Sequence, residues 1–271
     1  MSVLKDRIIF GTYELTNQEK ITECIFAAGK TGYNVIDTAW VYKNEKEVGE
    51  AVRKYNSSNK HQLLIQTKLW PSHFLNAREQ ILSQLKVMGI DKIHSVLLHR
   101  IPINLEDALF AWKELIKLKN EKIIEHIGVS NFDHDDVEYL IYNTGVCPEI
   151  NQIELSILNY RHDRVLYNQK RNIVIQAWSP LGKDLIPLNL PSVKKIASLH
   201  KCTTAQIAIA YLLEQNNAVV VKSEHLERIQ QNIDALKIKL SSEEIEVLQK
   251  ENKYENKYSD RLDSTHYRGK H

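Results

Sequence analysis

The sequence predicts an α/β protein built as a (β/α)8 TIM barrel, a single domain over residues 1–271. Three observations carry that prediction. Short apolar, β-branched runs alternate with longer amphipathic stretches along the whole chain, which implies parallel pairing through helical crossovers. There are eight such runs, and eight parallel units close most simply into a barrel. Most runs are nearly continuously apolar, as in Val96-Leu97-Leu98 and Ala218-Val219-Val220-Val221, the pattern of strands buried on both faces.

The candidate strands, in order, are Ile8–Thr12, Asn34–Ala39, Leu63–Leu69, Ser95–His99, Ile123–Ser130, Glu149–Leu155, Ile173–Ser179 and Ala218–Ser223. The stretches between them read as helices. Ile21, Cys24, Ile25 and Ala28 recur at helical spacing after the first run. Thr16-x-x-Glu19, Thr203-x-x-Gln206 and Ser241-x-x-Glu244 have the pattern of capping boxes, with Asn104-x-x-Asp107 a weaker version. From about residue 250 to 271 periodicity is lost, as expected of a surface loop or tail. A doubly wound open sheet is the alternative fold. It usually carries a glycine-rich phosphate loop after an early strand, whereas Gly11-Thr12-Tyr13-Glu14 follows here.

Composition narrows the function. Net charge is +2, so no nucleic-acid or membrane-surface footprint is expected. No run approaches the roughly 18 apolar residues of a membrane span, and the N-terminus lacks an apolar signal core. Cys24, Cys147 and Cys202 lie far apart and fit small buried residues in a reducing, cytoplasmic protein. A metal is not expected, because His and carboxylate residues show no ligand spacing.

In a barrel, chemistry sits at the C-terminal ends of the strands. Here those ends hold Asp37, Lys68, His99, Ser130-Asn131, Gln152, Ser179 and Lys222-Ser223. By strand alternation Lys68 shares a face with Gln66 and Leu64, and His99 with Leu97 and Ser95. If those faces point inward, both side chains rise into the barrel mouth. A buried ammonium costs several kcal/mol unless paired, and Asp37 is the obvious partner. Tyr42 follows Asp37 by five positions. A cation nearby favours phenolate, so Lys68 is expected to draw its pKa down from about 10. Such a phenol can donate a proton to a developing alkoxide.

These residues resemble the aldo-keto reductase family. The segments Gly32-Tyr-Asn-Val-Ile-Asp-Thr-Ala-Trp-Val-Tyr-Lys-Asn-Glu45 with Val48-Gly49, Thr67-Lys-Leu-Trp-Pro71 and Leu97-Leu98-His99 resemble its catalytic motifs. Gly128-Val-Ser-Asn-Phe132, Asn151-Gln-Ile-Glu-Leu155 and Ala177-Trp-Ser-Pro-Leu-Gly182 resemble its nicotinamide segments. Val221-Lys-Ser-Glu-His-Leu-Glu-Arg-Ile-Gln-Gln-Asn232 resembles its NADP phosphate segment. The segments span nearly the whole chain in the family's order.

The resemblance implies NADPH-dependent reduction of a small-molecule aldehyde or ketone by hydride transfer from nicotinamide C4. Asp37, Tyr42, Lys68 and His99 form the implied catalytic tetrad. Tyr42 is its general acid, and His99 orients the carbonyl. Ser130, Asn131 and Gln152 are implied on the carboxamide and Trp178 against the ring. Ser179, Leu181 and Gly182 are implied on the pyrophosphate, Gln231 and Asn232 near the adenine, and Lys222, Ser223 and Arg228 on the 2′-phosphate. The phosphate assignment has its own rationale, since two cations at a helix start make an anion site. Tyr13, Trp40 and Trp70, with His99, are candidates for the substrate pocket wall.

Departures are specific. Trp178 stands where the family often has Tyr, Gln231 where Glu is common, and His225 where a small hydroxyl residue is common. Arg100 replaces the frequent Trp after the histidine. With a shortened N-terminal hairpin and C-terminal tail, the expectation is a more open site. A monomer is expected. The alternative is an NADPH-binding regulatory or structural protein of low turnover, resembling potassium-channel β subunits; the intact tetrad favours the enzyme.

Overall fold

The structure, a computed structural model, describes residues 6–253. Eight strands form a closed parallel barrel in chain order: β1 (Ile8–Gly11), β2 (Val35–Asp37), β3 (Leu64–Leu69), β4 (Ile93–Leu98), β5 (Ile124–Ser130), β6 (Ile150–Glu154), β7 (Val174–Trp178) and β8 (Ala218–Val221). The ring closes through Phe10, in register with Val221 on one side and Ile36 on the other. The helices between strands are α1 (Gln18–Thr31), α2 (Glu45–Ser58), α3 (Ala77–Met88), α4 (Leu105–Asn120), α5 (His134–Thr144) and α6 (His162–Lys170). Two helices, α7 (Pro191–His200) and α8 (Thr204–Glu214), separate β7 from β8. After β8 come α9 (Leu226–Asp234) and α10 (Ser242–Gln249).

The main apolar core is the layer between barrel and helices, where Ile21, Ile25, Val48, Ile81, Trp112 and Leu140 pack against Ile36, Ile65, Val96 and Val129. Ile9, Val35, Val174, Ala218 and Val220 form a separate, smaller apolar cluster. These five are contributed by β1, β2, β7 and β8, and by alternation they share the face of Asp37 and Gln176. The barrel interior is therefore apolar below and polar above.

All eight expected strands are present, with shifted ends. Left-handed residues set two of the stops. Asn131 (φ 63°) ends β5, and Ser179 (φ 50°) leaves the extended region, so β7 stops at Trp178. β4 starts earlier than expected, because Ile93 already pairs with Ile124. At the last strand, residues 222–225 separate β8 from α9, so Lys222 and Ser223 lie in a link and not in the strand.

The boxes at Thr203/Gln206 and Ser241/Glu244 are present with both reciprocal bonds. Asn104 caps α4 by accepting from Glu106 N–H. The expected box at Thr16 is replaced: Asn17 caps α1 by accepting from Lys20 N–H at 2.9 Å, because the helix begins one residue later than that box requires. A box at Asp133/Asp136 was not anticipated. Cys24 is buried as expected, whereas Cys147 and Cys202 are only half-buried. The expected tail falls mostly outside the described residues; within them, Lys253 N–H donates to Leu158 O. Among the described residues no helix is long and apolar enough to cross a membrane.

Candidate active site

Because the strands are parallel, their C-terminal ends share one mouth. β2 and β3 bring Asp37 and Lys68 there, and β4 delivers His99 directly after its last residue. Tyr42 is placed by a single 3-10 turn, Trp40–Tyr42, which swings it back over Lys68. Lys43, left-handed at φ 59°, closes that turn. Asn44 fixes the turn to the barrel. Its amide donates to Thr12 O and Leu15 O, each at 2.9 Å, and its oxygen accepts from Thr38 Oγ at 2.8 Å.

Lys68 Nζ is fully buried and makes three contacts: Asp37 Oδ2 at 2.6 Å, Thr38 O at 3.0 Å and the Tyr42 hydroxyl at 3.3 Å. The Tyr42 and His99 rings meet edge-on at 5.8 Å between centroids. All four tetrad residues predicted from the sequence are therefore brought together. Their electrostatics differ from expectation in one respect. Burial pushes the Tyr42 phenol above its ordinary pKa, and the opposing pull of Lys68 does not reverse it. Burial is the main cause, and the Asp37 carboxylate beside the ammonium adds to it, so the phenol faces an ion pair and not a bare cation. Burial likewise works against the Lys68 ammonium, but Asp37 and Tyr42 together outweigh it and hold the pKa above the usual lysine value. Tyr42 stays protonated at neutral pH, the state a proton donor needs.

Beneath the tetrad lies a polar network that only the assembled barrel shows. Gln66 donates to Asp37 Oδ1 and Gln176 Oε1, each at 2.7 Å. Gln152 donates to the same two acceptors at 3.1 and 3.0 Å. Ser95 donates to Gln66 Oε1 at 2.8 Å. Asp37, Gln66 and Ser95 are register partners across β2, β3 and β4, so one tier of the barrel holds the carboxylate. Behind the backbone of Lys68, the buried Glu45 accepts from Thr67 Oγ and Gln84 Nε2, each at 2.6 Å. Gln66, Ser95, Gln176, Glu45 and Gln84 were not among the predicted site residues. A glutamine inside each of the apolar runs of β3 and β7 was the available signal.

The residues implied on the nicotinamide gather beside the tetrad. Asn131 donates to His99 O at 3.2 Å and to Ser130 Oγ at 3.0 Å, and accepts from Trp178 Nε1 at 2.9 Å. Ser130 Oγ donates to Gln152 O at 2.8 Å. Leu181 packs against the core, and Gly182 (φ 76°) takes the left-handed turn after β7. Lys222, Ser223, Arg228, Gln231 and Asn232 lie at the same mouth but farther round, beyond β8 and on α9. Lys222 pairs with Glu224 at 2.7 Å, Arg228 is exposed, and Gln231 donates to Glu227 at 3.1 Å. Ser223 and Asn232 are buried.

Around the rim, Tyr13 meets Tyr42 at 5.1 Å, and Trp70 meets His99 edge-on at 5.1 Å. Trp40 packs against His73 at 4.3 Å, with Lys43 Nζ 3.4 Å above its ring. All three predicted pocket aromatics thus stand at the catalytic end.

Fold and site define a barrel oxidoreductase, and comparison with known proteins gives its family. The model of the aldo/keto reductase family matches residues 7–253, and the chain belongs to that family. It is 37% identical over 238 residues to methylglyoxal reductase DkgA of Escherichia coli strain K12, covering 87% of this chain and 85% of that one. It is 33% identical over 241 residues to an aldo-keto reductase of Mycolicibacterium smegmatis, covering 88% and 84%. Among solved structures, an aldo-keto reductase from a Medee basin deep-sea metagenome library superposes with a TM-score of 0.86 at 32% identity, with 91% of each chain covered. The aldo/keto reductase from Brucella melitensis gives 0.85 at 33% identity, covering 91% and 95%. The protein is therefore an enzyme, an oxidoreductase acting on small-molecule carbonyl compounds.

Proposed function

We propose that this enzyme reduces an aldehyde or ketone to the alcohol with NADPH, and that Tyr42 is the general acid. One observation carries the reading: Lys68 Nζ bridges Asp37 Oδ2 at 2.6 Å and the Tyr42 hydroxyl at 3.3 Å, beside His99.

The residues present fit a nicotinamide dinucleotide phosphate. At the tetrad, Ser130, Asn131 and Gln152 offer amide and hydroxyl partners for a carboxamide, and Trp178 a flat apolar face. At α9, Lys222 and the exposed Arg228 flank a helix start where the N-cap residue His225 makes no side-chain cap bond. Uncapped N–H groups with two cations form an anion site. A 2′-phosphate there competes with Glu224 for Lys222, and Gln231 and Asn232 lie farther along α9 for the adenine.

When bound, the nicotinamide supplies a hydride to the carbonyl carbon. The remaining work falls to the protein. His99 and Tyr42 hold the carbonyl oxygen between imidazole and phenol, placing hydrogen-bond capacity where negative charge develops. Tyr42 O–H then passes its proton to that oxygen. Lys68 stabilises the phenolate left behind, and Asp37, fixed by Gln66 and Gln152, keeps the ammonium charged and in place. Tyr13, Trp40 and Trp70 wall the approach. The relatives named methylglyoxal reductases make a small ketoaldehyde the first substrate to try.

The test follows NADPH absorbance with aldehydes and ketones for the wild type and Tyr42→Phe. The substitution is expected to cut turnover by at least about a hundredfold, the usual weight of a positioned acid. Quenching of tryptophan fluorescence by NADPH should persist. Equal turnover in the variant overturns the assigned acid.

A further inference from the structure

We propose that the barrel carries a binding site for a divalent transition-metal ion at the end opposite the active site, formed by His94, Glu125 and His126. The three residues come from the starts of neighbouring strands: His94 is the second residue of β4, and Glu125 and His126 are the second and third of β5. Their ligand atoms all lie within 4.8 Å of one another. Glu125 sits between the two imidazoles, its oxygens 3.5 Å from His94 Nδ1 and 3.9 Å from His126 Nε2. The two rings stand edge-on with centroids 5.0 Å apart.

Burial and bonding separate this cluster from an ordinary surface group. Both histidine side chains are 10% exposed. His94 Nδ1 is buried and has no hydrogen-bond partner among the described residues; the Glu125 carboxylate stands 3.5 Å away, longer than an ordinary hydrogen bond. Leaving a polar atom so placed costs about 1–3 kcal/mol, and a ligated cation removes that cost.

His126 is oriented as a metal-bound histidine usually is. Its Nδ1 bonds Glu149 Oε2 at 2.8 Å, which leaves Nε2 facing Glu125. Glu149 is itself held by Lys119 at 2.5 Å and by Ile127 N–H at 3.0 Å, so the supporting group is fixed. Two imidazoles and one carboxylate select zinc, cobalt, nickel or copper(II) over magnesium or calcium, which want oxygen ligands. Ligand bonds of about 2.0–2.2 Å require the atoms to close inward. Glu125, 39% exposed, is free to make that movement and leaves a route from solvent.

The site lies far from Tyr42, so an ion there ties β4 to β5 without entering the reaction. The experiment uses the full chain, stripped with a chelator and titrated with Zn2+ by calorimetry. His94→Gln and Glu125→Gln are run beside the wild type. His126 is left intact because its bond to Glu149 supports the fold. The expected result is one Zn2+ equivalent of micromolar or tighter affinity, weakened at least tenfold in both variants. Co2+ should give tetrahedral visible bands that both variants lose. Thermal midpoint should rise more with Zn2+ in the wild type than in either variant, while carbonyl reduction with NADPH is equal in all three proteins. No saturable binding, or binding unchanged in both variants, overturns the proposal. Glu125→Gln, at a partly exposed position, keeps the test decisive should His94→Gln fold poorly.

Discussion

A lysine with no solvent contact is costly unless something compensates it, and Asp37 does so here from 2.6 Å. Burial raises the pKa of the phenol beside Lys68, and the Asp37 carboxylate adds to that, so the phenol stays protonated. The same attention to charge applies at the cofactor's far end. Arg228 is exposed and forms no ion pair among the described residues, while Lys222 is already engaged by Glu224. Arg228→Ala should therefore weaken NADPH by about tenfold to a hundredfold, the weight of one charge-assisted hydrogen bond of about 1.5–3 kcal/mol. NADH binding should change little. Fluorescence titration with both cofactors measures this, and a uniform loss removes Arg228 from the phosphate site. At this scale much was legible. Polar residues closing apolar runs marked Asp37, Lys68 and His99 before any coordinates. Gln66 and Gln176 were equally visible inside their runs, but their purpose depends on what stands across the barrel.

Helix and strand ends were read less well than helix and strand existence, for a local reason. One residue of slip changes which side chain caps a helix, while hydrophobic periodicity barely registers it. At α1 the competing caps were adjacent. Asn17 holds the bond to Lys20 N–H, and Thr16 is exposed. Asn17→Ala should cost about 1 kcal/mol of unfolding free energy, and Thr16→Ala only a few tenths. Equal losses in urea denaturation would falsify the capping assignment. Strand ends show the same sensitivity. The left-handed backbones of Asn131 and Ser179 end β5 and β7 at the mouth, and neither is glycine. They turn the chain where Ser130, Asn131 and Trp178 must converge. Sequence pattern places those residues near a strand end; the backbone conformation aims them.

Across the whole molecule the two ends of the barrel do different work. The C-terminal mouth gathers the proposed catalytic residues Asp37, Tyr42, Lys68 and His99. At the opposite end, Glu149 at the entry to β6 joins Lys119 of α4, His126 and Ile127 of β5. Burial alone would raise its carboxyl pKa, but bonds from His126, Lys119 and the Ile127 N–H outweigh it and bring it down to about 2. A carboxylate depressed in the folded state stabilises the fold above its unfolded pKa, near 4.5, and that contribution fades as pH falls toward 2. Glu149 is partly exposed, so solvent screening trims the effect: Glu149→Gln should lose on the order of 1–2 kcal/mol at pH 6–7, with the gap to wild type closing through this acid window. Denaturant melts from pH 7 to 2.5 in chelator will show it; a gap that does not depend on pH argues that packing, not charge, is lost.

The sequence by itself determined the eight alternating units, the parallel barrel they close and the polar residues, Asp37, Lys68 and His99, at its strand ends. Each of these rests on local patterning: apolar periodicity and a polar residue where a strand stops. Only the tertiary structure decided the layered glutamine network under Asp37, the upward direction of the Tyr42 pKa and the histidine–carboxylate cluster at the far end. Those properties arise between strands distant in the chain. Burial and through-space charge depend on which side chains meet across the barrel, and spacing along a single chain does not encode that distance.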